Sequence, residues 1–496
     1  MYTILKRLAT ILMPLVVAMN IASDEASANS SIDKAMQGVR SAVRKAEADP
    51  TRPICHFHPP SQWMNDPNGT IYHKGFYHVF YQHNPYDDEW GHMHWGHTRS
   101  KDLVHWEYLP IALWPSEEKG EEHCFSGCAR INGSGEPMIF YTMVPPRSDK
   151  CVHQQWAALG DDDLVFWKKH PANPILDLDT QGGPRFGDSW RDPFIFEEAG
   201  HTFMVLGADL GEEAVIPIYE SEDPDLSRWQ YRGILFRLPK EDLKFFECPN
   251  FFKLDGKWIL FCSPYRPVEY FIGSFDLGTY TFSPETRGIL DHGRGRSANF
   301  YASNILFDNR DRCVLFGWVR GFEKGRGWNG CLALPRILSI GPDGHPRQTP
   351  VPELESLRGK HVQVSDLELK DGERALDHVK SDALEITATF DLGNAKACGM
   401  KVLRAGNECA AEIRYDSRSL VVAETEVPLE LKEGENILDL HIFIDRSVME
   451  VFADKGRISV TRIIDPGQRG MSIECFAESG EARVKSLEVW ELASIW

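Results

Sequence analysis

Positive charge is scarce in this chain. Across 496 residues, Lys and Arg number 54 against 73 Asp and Glu, a net charge of −19. Such a surface repels polyanions, so nucleic acid and anionic membranes are excluded as partners. Metal-type cysteine pairs are also missing, because none of the 11 Cys forms a C-x-x-C. An odd number at scattered spacings argues against a dense disulfide framework. Cys124 and Cys128 lie close together, whereas Cys248, Cys262, Cys313 and Cys331 sit in apolar runs and read as buried thiols. Beyond the first thirty residues no apolar run is long enough to span a membrane. Helical periodicity is almost absent after one amphipathic stretch near Asp33 to Ala48, which excludes helical bundles.

What the chain does contain begins with an address label. Lys6 and Arg7 precede an apolar stretch from Leu8 to about Ala22, then Ala26-Ser27-Ala28. This pattern predicts a secretory signal cut near Ala28, and hence a secreted or periplasmic protein. No cysteine follows the apolar run, which argues against a lipoprotein. Fourteen Trp and 27 Phe are many for an acidic protein and suit sugar faces as well as a core. Short runs such as "FYHVFYQ", "PMIFYTMV", "HTFMVLGA", "KWILFCS" and "CVLFGWV", bounded by Gly, Pro, Asp and Asn, predict strands and an all-β fold.

An internal repeat orders those strands. "SKDLVHW" ends at Trp106, "DDDLVFW" at Trp167, "DPDLSRW" at Trp229 and the weaker "DLGTYTF" at Phe282, at intervals of 61, 62 and 53 residues. Several strands per unit at this period predict a β-propeller, whose units bury their faces only against neighbours. A further strand set around "ANFYASNILFDNRDRCVLFGWV" makes five blades. Three acids then fall at similar phases of three blades: Asp66 in "WMNDPNG", Asp192 in "SWRDPFIF" and Glu247 in "FFECPNFF"; in the second unit the phase falls on Ser126. Residues at one phase line one channel, so the acids are expected to converge. An unpaired carboxylate in an aromatic strand is costly, so each acid needs a purpose or a partner. Converging carboxylates among aromatics are what glycosidic cleavage requires: one to protonate the leaving oxygen, another to attack or to activate water.

"WMNDPNG", "WRDP" and "FECP", in that order, closely resemble the three signature blocks of glycoside hydrolase family 32, the invertase, levanase and inulinase family. "YQHNPYDDEWGHMHWGHTRSKDLVHW", "CFSGCA", "NFYASNILFD", "GWV", "ALPRIL" and "LHIFIDRSVMEVF" extend the resemblance from about Pro53 to the C-terminus. It implies a five-bladed propeller followed by a β-sandwich and no cofactor or metal. The expected organisation is a signal peptide over 1–28, a helical segment over 29–52, the propeller over 53–345, a linker over 346–363 and the sandwich over 364–496. Carried over residue by residue, the resemblance makes Asp66 the nucleophile and Glu247 the acid/base. Asp192 becomes the residue that holds fructosyl hydroxyls. Asn65, Gln82, Trp90, Phe125, Ser126 and Arg191 are implied to shape the fructose subsite, with Trp318 flanking it. Between Phe246 and Cys248, Glu247 is expected in a less polar setting, which would raise its pKa and keep the proton to be donated.

A rival constellation is His92, His94 and His97 in "GHMHWGH". In an extended strand His92 and His94 share a face and His97 points away, and no acid pattern accompanies them, so hydrogen-bonding histidines are expected. Asp445 and Arg446 of "IDRS" are expected to pair within the sandwich. A non-catalytic fructan-binding protein would be expected to have lost an acid, and all three are present. Among substrates, sucrose is preferred over levan or inulin because no extra binding module is visible. Sucrose 6-phosphate is disfavoured because an exported enzyme would not meet it.

Overall fold

The computed structural model describes residues 29–147, 152–295, 297–376, 379, 381–404, 409–431, 436–465 and 472–496. The signal-peptide expectation lies outside them. Residues 29–47 form a helix whose Ala35, Val39 and Ala46 are buried. It packs on the first blade, with Gly38 so close to Pro85 that a Cβ would stand 2.5 Å from the Pro85 carbonyl. No helix among the described residues is long and apolar enough to cross a membrane.

Strands then follow in five sheets. Blade 1 runs from Gln62–His73 to Trp106–Leu113, and blade 2 from His123–Ile131 to Leu176–Asp177. Blade 3 runs from Arg191–Glu198 to Trp229–Pro239, blade 4 from Asn250–Leu254 to Thr281–Ile289, and blade 5 from Phe300–Phe307 to Pro346–Pro350. The sequence repeat has a physical cause. Leu103, Leu164 and Leu226 sit in the turn before the fourth strand of their blades with φ of 65°, 61° and 55°, and all three are buried. The aspartates before them cap the turn: Asp102 Oδ1 accepts from Val104 N at 2.9 Å, Asp161 Oδ1 from Val165 N at 2.7 Å and Asp223 Oδ1 from Ser227 N at 3.1 Å. The Trp that follows donates its indole N–H back to the Leu carbonyl in blades 2 and 3, at 2.9 and 3.1 Å. A left-handed turn that a bulky residue rarely adopts is thus held by burial and capping, once in each of blades 1, 2 and 3.

The fifth blade ends at Pro350 and the long strand Arg358–Leu376 opens the second domain. The connector is therefore the 3-10 helix Pro352–Leu357, shorter than the expected 346–363, because 346–350 pairs as a blade strand with Arg336–Ile340. In the sandwich, Ser472–Leu492 is shared along its length, pairing with Ala397–Arg404 at its start and Ala383–Asp391 at its end. The apolar faces so joined enclose Leu384, Ile386, Met400, Ile413, Ile442 and Val451.

A buried ionic network locks the two domains. Arg336 is 1% exposed; its Nη1 donates to Asp291 Oδ2 at 2.9 Å and its Nη2 to Glu450 Oε2 at 2.7 Å. Its guanidinium lies 4.6 Å from the Phe300 ring of the propeller and 4.9 Å from the Phe452 ring of the sandwich. His56, just before blade 1, places Nδ1 2.8 Å from Asp445 and Nε2 3.1 Å from Glu450. Burial works to lower its pKa, but these two carboxylates prevail and raise it to about 9, so both ring nitrogens donate. Asp445 and Arg446 do not form the expected pair. Asp445 accepts the N–H groups of Ile54, Cys55 and His56 at 2.8, 2.7 and 3.0 Å, while Arg446 Nη1 donates to the Arg52 carbonyl at 2.8 Å. The turn at Arg446, with φ of 55°, sends the two side chains apart.

Candidate active site

The inner strands of all five blades run the same way along the propeller axis, so their N-terminal ends meet at one mouth. Each inner strand has a β-bulge there, with two residues facing one on the neighbouring strand. In blades 1, 2, 3 and 5 the register shift spans Asn65-Asp66, Phe125-Ser126, Asp192-Pro193 and Ala302-Ser303. In blade 4 Ser263 N donates to the Glu247 carbonyl at 2.8 Å and Asn250 pairs with Phe261, leaving Cys248-Pro249 as the bulge. Bulges re-aim side chains, and here they turn them into the channel. The three acids therefore take neighbouring positions rather than one identical phase. Glu247 stands immediately before its bulge, Asp192 is the first bulge residue and Asp66 the second. The position before the bulge is Arg191, Glu247 and Tyr301 in three consecutive blades, which is why these three side chains touch.

Asp66 only accepts. Its Oδ1 receives Asn65 Nδ2 at 3.0 Å, and its Oδ2 receives Ser126 Oγ at 2.5 Å and Cys248 Sγ at 3.4 Å. The donors are held from behind. Gln82, opposite the blade 1 bulge, accepts from Asn65 Nδ2 at 2.7 Å and donates to Ser126 Oγ at 2.8 Å, so the serine proton points to Asp66. Trp63 Nε1 donates to Asn65 Oδ1 at 2.7 Å. Trp318 packs edge-on against Trp63, ring centroids 5.6 Å apart, and 6.5 Å from Tyr301. Trp90, 48% exposed, forms the rim with its ring 6.1 Å from Phe125. All the residues expected from the sequence thus lie around this one mouth.

Glu247 is not in the apolar setting its sequence neighbours suggest. Arg191 Nη2 donates to Oε1 at 2.7 Å and Tyr301 OH meets Oε2 at 2.7 Å. Phe246 points away into the core, and Gly207 makes room for this segment: a Cβ there would stand 2.0 Å from the Phe246 carbonyl. Tyr301 OH also lies 2.6 Å from the Ser263 carbonyl and accepts Tyr265 N–H at 2.8 Å. Its phenol is raised by burial and by the Glu247 charge, so it keeps its one proton. That proton serves either Glu247 or Ser263.

Asp192 is the perturbed acid. It is 4% exposed, accepts Cys248 N–H at 3.0 Å and lies 3.5 Å from Arg191 Nε. Burial raises its pKa to about 7, with the charges of Glu247 and Asp66 adding to the effect. Arg191 opposes burial and stays charged through Asp192 and Glu247, but one guanidinium shared between two carboxylates does not offset the desolvation of Asp192. Tyr301, Tyr265 and Cys248 were not identified as functional from the sequence. The signal for Tyr301 was present, since "NFYASNILFD" supplies the fifth inner strand at the position of Arg191 and Glu247. The histidines behave as hydrogen-bonding groups: His97 Nε2 is 3.0 Å from His78 Nδ1, and His94 Nδ1 is 2.5 Å from the His92 carbonyl. His92 itself lies outside the strand His94–Ser100, with φ of 45°, so it does not share a strand face with His94. Among the described residues no group of His, Cys, Asp and Glu is arranged as a metal site.

Three carboxylates within one hydrogen-bonded mouth can divide nucleophilic, acid/base and hydroxyl-holding work at a glycosidic bond. Known proteins agree with that chemistry. The glycosyl hydrolases family 32 N-terminal domain matches residues 56–350 and the family's C-terminal domain residues 353–491. A levanase of Bacillus subtilis is 33% identical over 90% of this chain and 71% of its own length. A sucrose-6-phosphate hydrolase of Zymomonas mobilis is 31% identical over 94% of this chain and 97% of its own. Among solved structures, a family 32 β-fructofuranosidase of Bombyx mori in complex with sucrose superposes with a TM-score of 0.80 at 27% identity, covering 94% of this chain and 99% of that one. Both domains being matched, and the relatives running nearly the whole described length, this propeller with its acid-lined mouth and the sandwich behind it belong to glycosyl hydrolase family 32.

Proposed function

We propose that this glycoside hydrolase is a retaining β-fructofuranosidase whose substrate is sucrose, with short fructans as secondary substrates, and that it acts outside the cytoplasm. In the first step an Asp66 oxygen attacks the anomeric carbon of the fructosyl unit while Glu247 gives its proton to the glycosidic oxygen, and the alcohol departs. In the second, Glu247 takes a proton from water, whose oxygen attacks the same carbon and frees Asp66. Asp192, deep in the mouth, holds fructosyl hydroxyls. The observation that carries this reading is the convergence of two carboxyls at one mouth: Asp66 is held by donors from Asn65, Ser126 and Cys248, and Glu247 by Arg191 and Tyr301. The sucrose complex of the Bombyx mori relative supports the disaccharide.

The name of the Zymomonas mobilis relative supports a second reading, a sucrose 6-phosphate hydrolase. Against it stand the net charge of −19 and the engagement of Arg191 with Glu247 and Tyr265. The N-terminal sequence also favours export. Comparing kcat/KM on sucrose, levan, inulin and sucrose 6-phosphate decides among them. Preference for the phosphorylated sugar by more than about tenfold, or about 1.4 kcal/mol of transition-state binding, together with an intact N-terminus, would replace the first reading by the second.

A further inference from the structure

Tyr265 stands out among the groups around the mouth. It is 49% exposed in a molecule that buries most of its large aromatic side chains, and it holds φ of 61° in the loop after the strand Lys257–Cys262. A bulky residue in left-handed backbone is strained and persists where the surroundings impose it. Here they do so at both ends of the residue. Its backbone N–H donates to Tyr301 OH at 2.8 Å, and its hydroxyl accepts Arg191 Nη2 at 2.7 Å, the same nitrogen that donates to Glu247 Oε1. Lys244 Nζ lies 5.8 Å from its ring centroid. The phenolic oxygen has one lone pair committed to Arg191, and among the described residues its proton has no acceptor.

We propose that Tyr265 determines leaving-group specificity, its ring and free O–H receiving the departing sugar while its oxygen steadies Arg191 and, through it, Glu247. This inference rests on the β-fructofuranosidase reading. Exposure rises from Asp192 at 4% through the Glu247 side chain at 17% to Tyr265 at 49%, so a fructosyl unit seated on the acids directs its aglycone past Glu247 toward this ring. An aldohexose presents a C–H face to stack on an aromatic ring and hydroxyl oxygens to accept a phenolic proton. A methyl aglycone offers neither. Burial together with the nearby Glu247 charge raises the phenol to about 12, so the proton stays in place across the working range.

The test compares kcat/KM of the parent, Tyr265→Phe and Tyr265→Ala on sucrose and on methyl β-D-fructofuranoside. Both variants lose the Arg191 contact and are expected to share one fall in kcat on the methyl fructoside. On sucrose the fall is expected to be greater, mainly through KM, so that the ratio of sucrose to methyl fructoside drops about tenfold in the Ala variant and by a smaller factor in the Phe variant. Tyr265→Asn, which tolerates left-handed backbone, repeats the ring deletion if the Ala variant does not fold. An unchanged ratio in the ring-deleted variant would reduce Tyr265 to a structural residue and overturn the proposal. A parent inactive on both fructosides would overturn the functional reading, and this inference with it.

Discussion

Replacing Asp192 with Asn should make the protein more stable at neutral pH while disabling it. The carboxyl is buried against Glu247 and Asp66, and its pKa stands at about 7 instead of 3.8. Below pH 3.8 the group is protonated in folded and unfolded chains alike. Between 3.8 and 7 the unfolded chain releases the proton while the folded one keeps it, so folding stability falls, and above 7 the loss is complete. At 1.36 kcal/mol per pH unit the full difference is about 4 kcal/mol. Asn keeps an oxygen to accept the Cys248 N–H and carries no charge to desolvate, so its stability lacks this decline. Urea unfolding followed by tryptophan fluorescence at a series of pH values measures the difference between variant and parent. That difference should move in favour of the variant by several kcal/mol from pH 4 to pH 8, while kcat on sucrose falls at least about a hundredfold, a site stabilised by the loss of its function. A difference constant within about 1 kcal/mol over that range would show that Asp192 titrates as an ordinary carboxylate and refute the argument.

Asp66→Ala and Glu247→Ala should both fold and lose nearly all hydrolysis of sucrose, with Glu247→Ala keeping more activity on fructosides whose leaving group needs no proton; equal losses on both substrate types would contradict the assigned roles. Product analysis by NMR should show that the first fructose released has the configuration of the substrate, whereas an inverted product would exclude a fructosyl enzyme on Asp66. Gly207→Ala, at a site where a Cβ would stand 2.0 Å from the Phe246 carbonyl, should displace Glu247 and lower kcat at nearly constant KM; wild-type kinetics would show that the segment yields freely. At the domain junction, His56 titrates at about 9, above its ordinary 6.5. Its contribution to stability is therefore complete below pH 6.5 and lost as pH rises through 9, by on the order of 3 kcal/mol. His56→Gln should flatten that alkaline decline, and parallel pH profiles for parent and variant would refute the role of the network.

Much of the architecture could be read from residues in order. The blade repeat is legible because the first three units solve the same local problem, a left-handed leucine turn capped by an aspartate before an outer-strand Trp, at Leu103, Leu164 and Leu226. The acids are legible because Asp66, Asp192 and Glu247 sit in compact blocks, and for two of them a neighbour is also a partner, Asn65 for Asp66 and Arg191 for Asp192. Other features depend on closure of the ring. Arg191, Glu247 and Tyr301 are far apart in the chain, and they meet because three consecutive blades place the position before the bulge side by side. The polar surroundings of Glu247 come from blades 3 and 5, so its neighbours Phe246 and Cys248 could not reveal them. Arg336 is similarly silent until Glu450 and Asp291 arrive from the sandwich and from blade 4 to bury it. Local backbone chemistry, carried by turn residues and strand alternation, is written along the chain. The pKa of Asp192, the partner of Asp445 and the contacts of Tyr265 depend on burial and on charges brought from distant strands, which only the closed propeller and the docked sandwich supply.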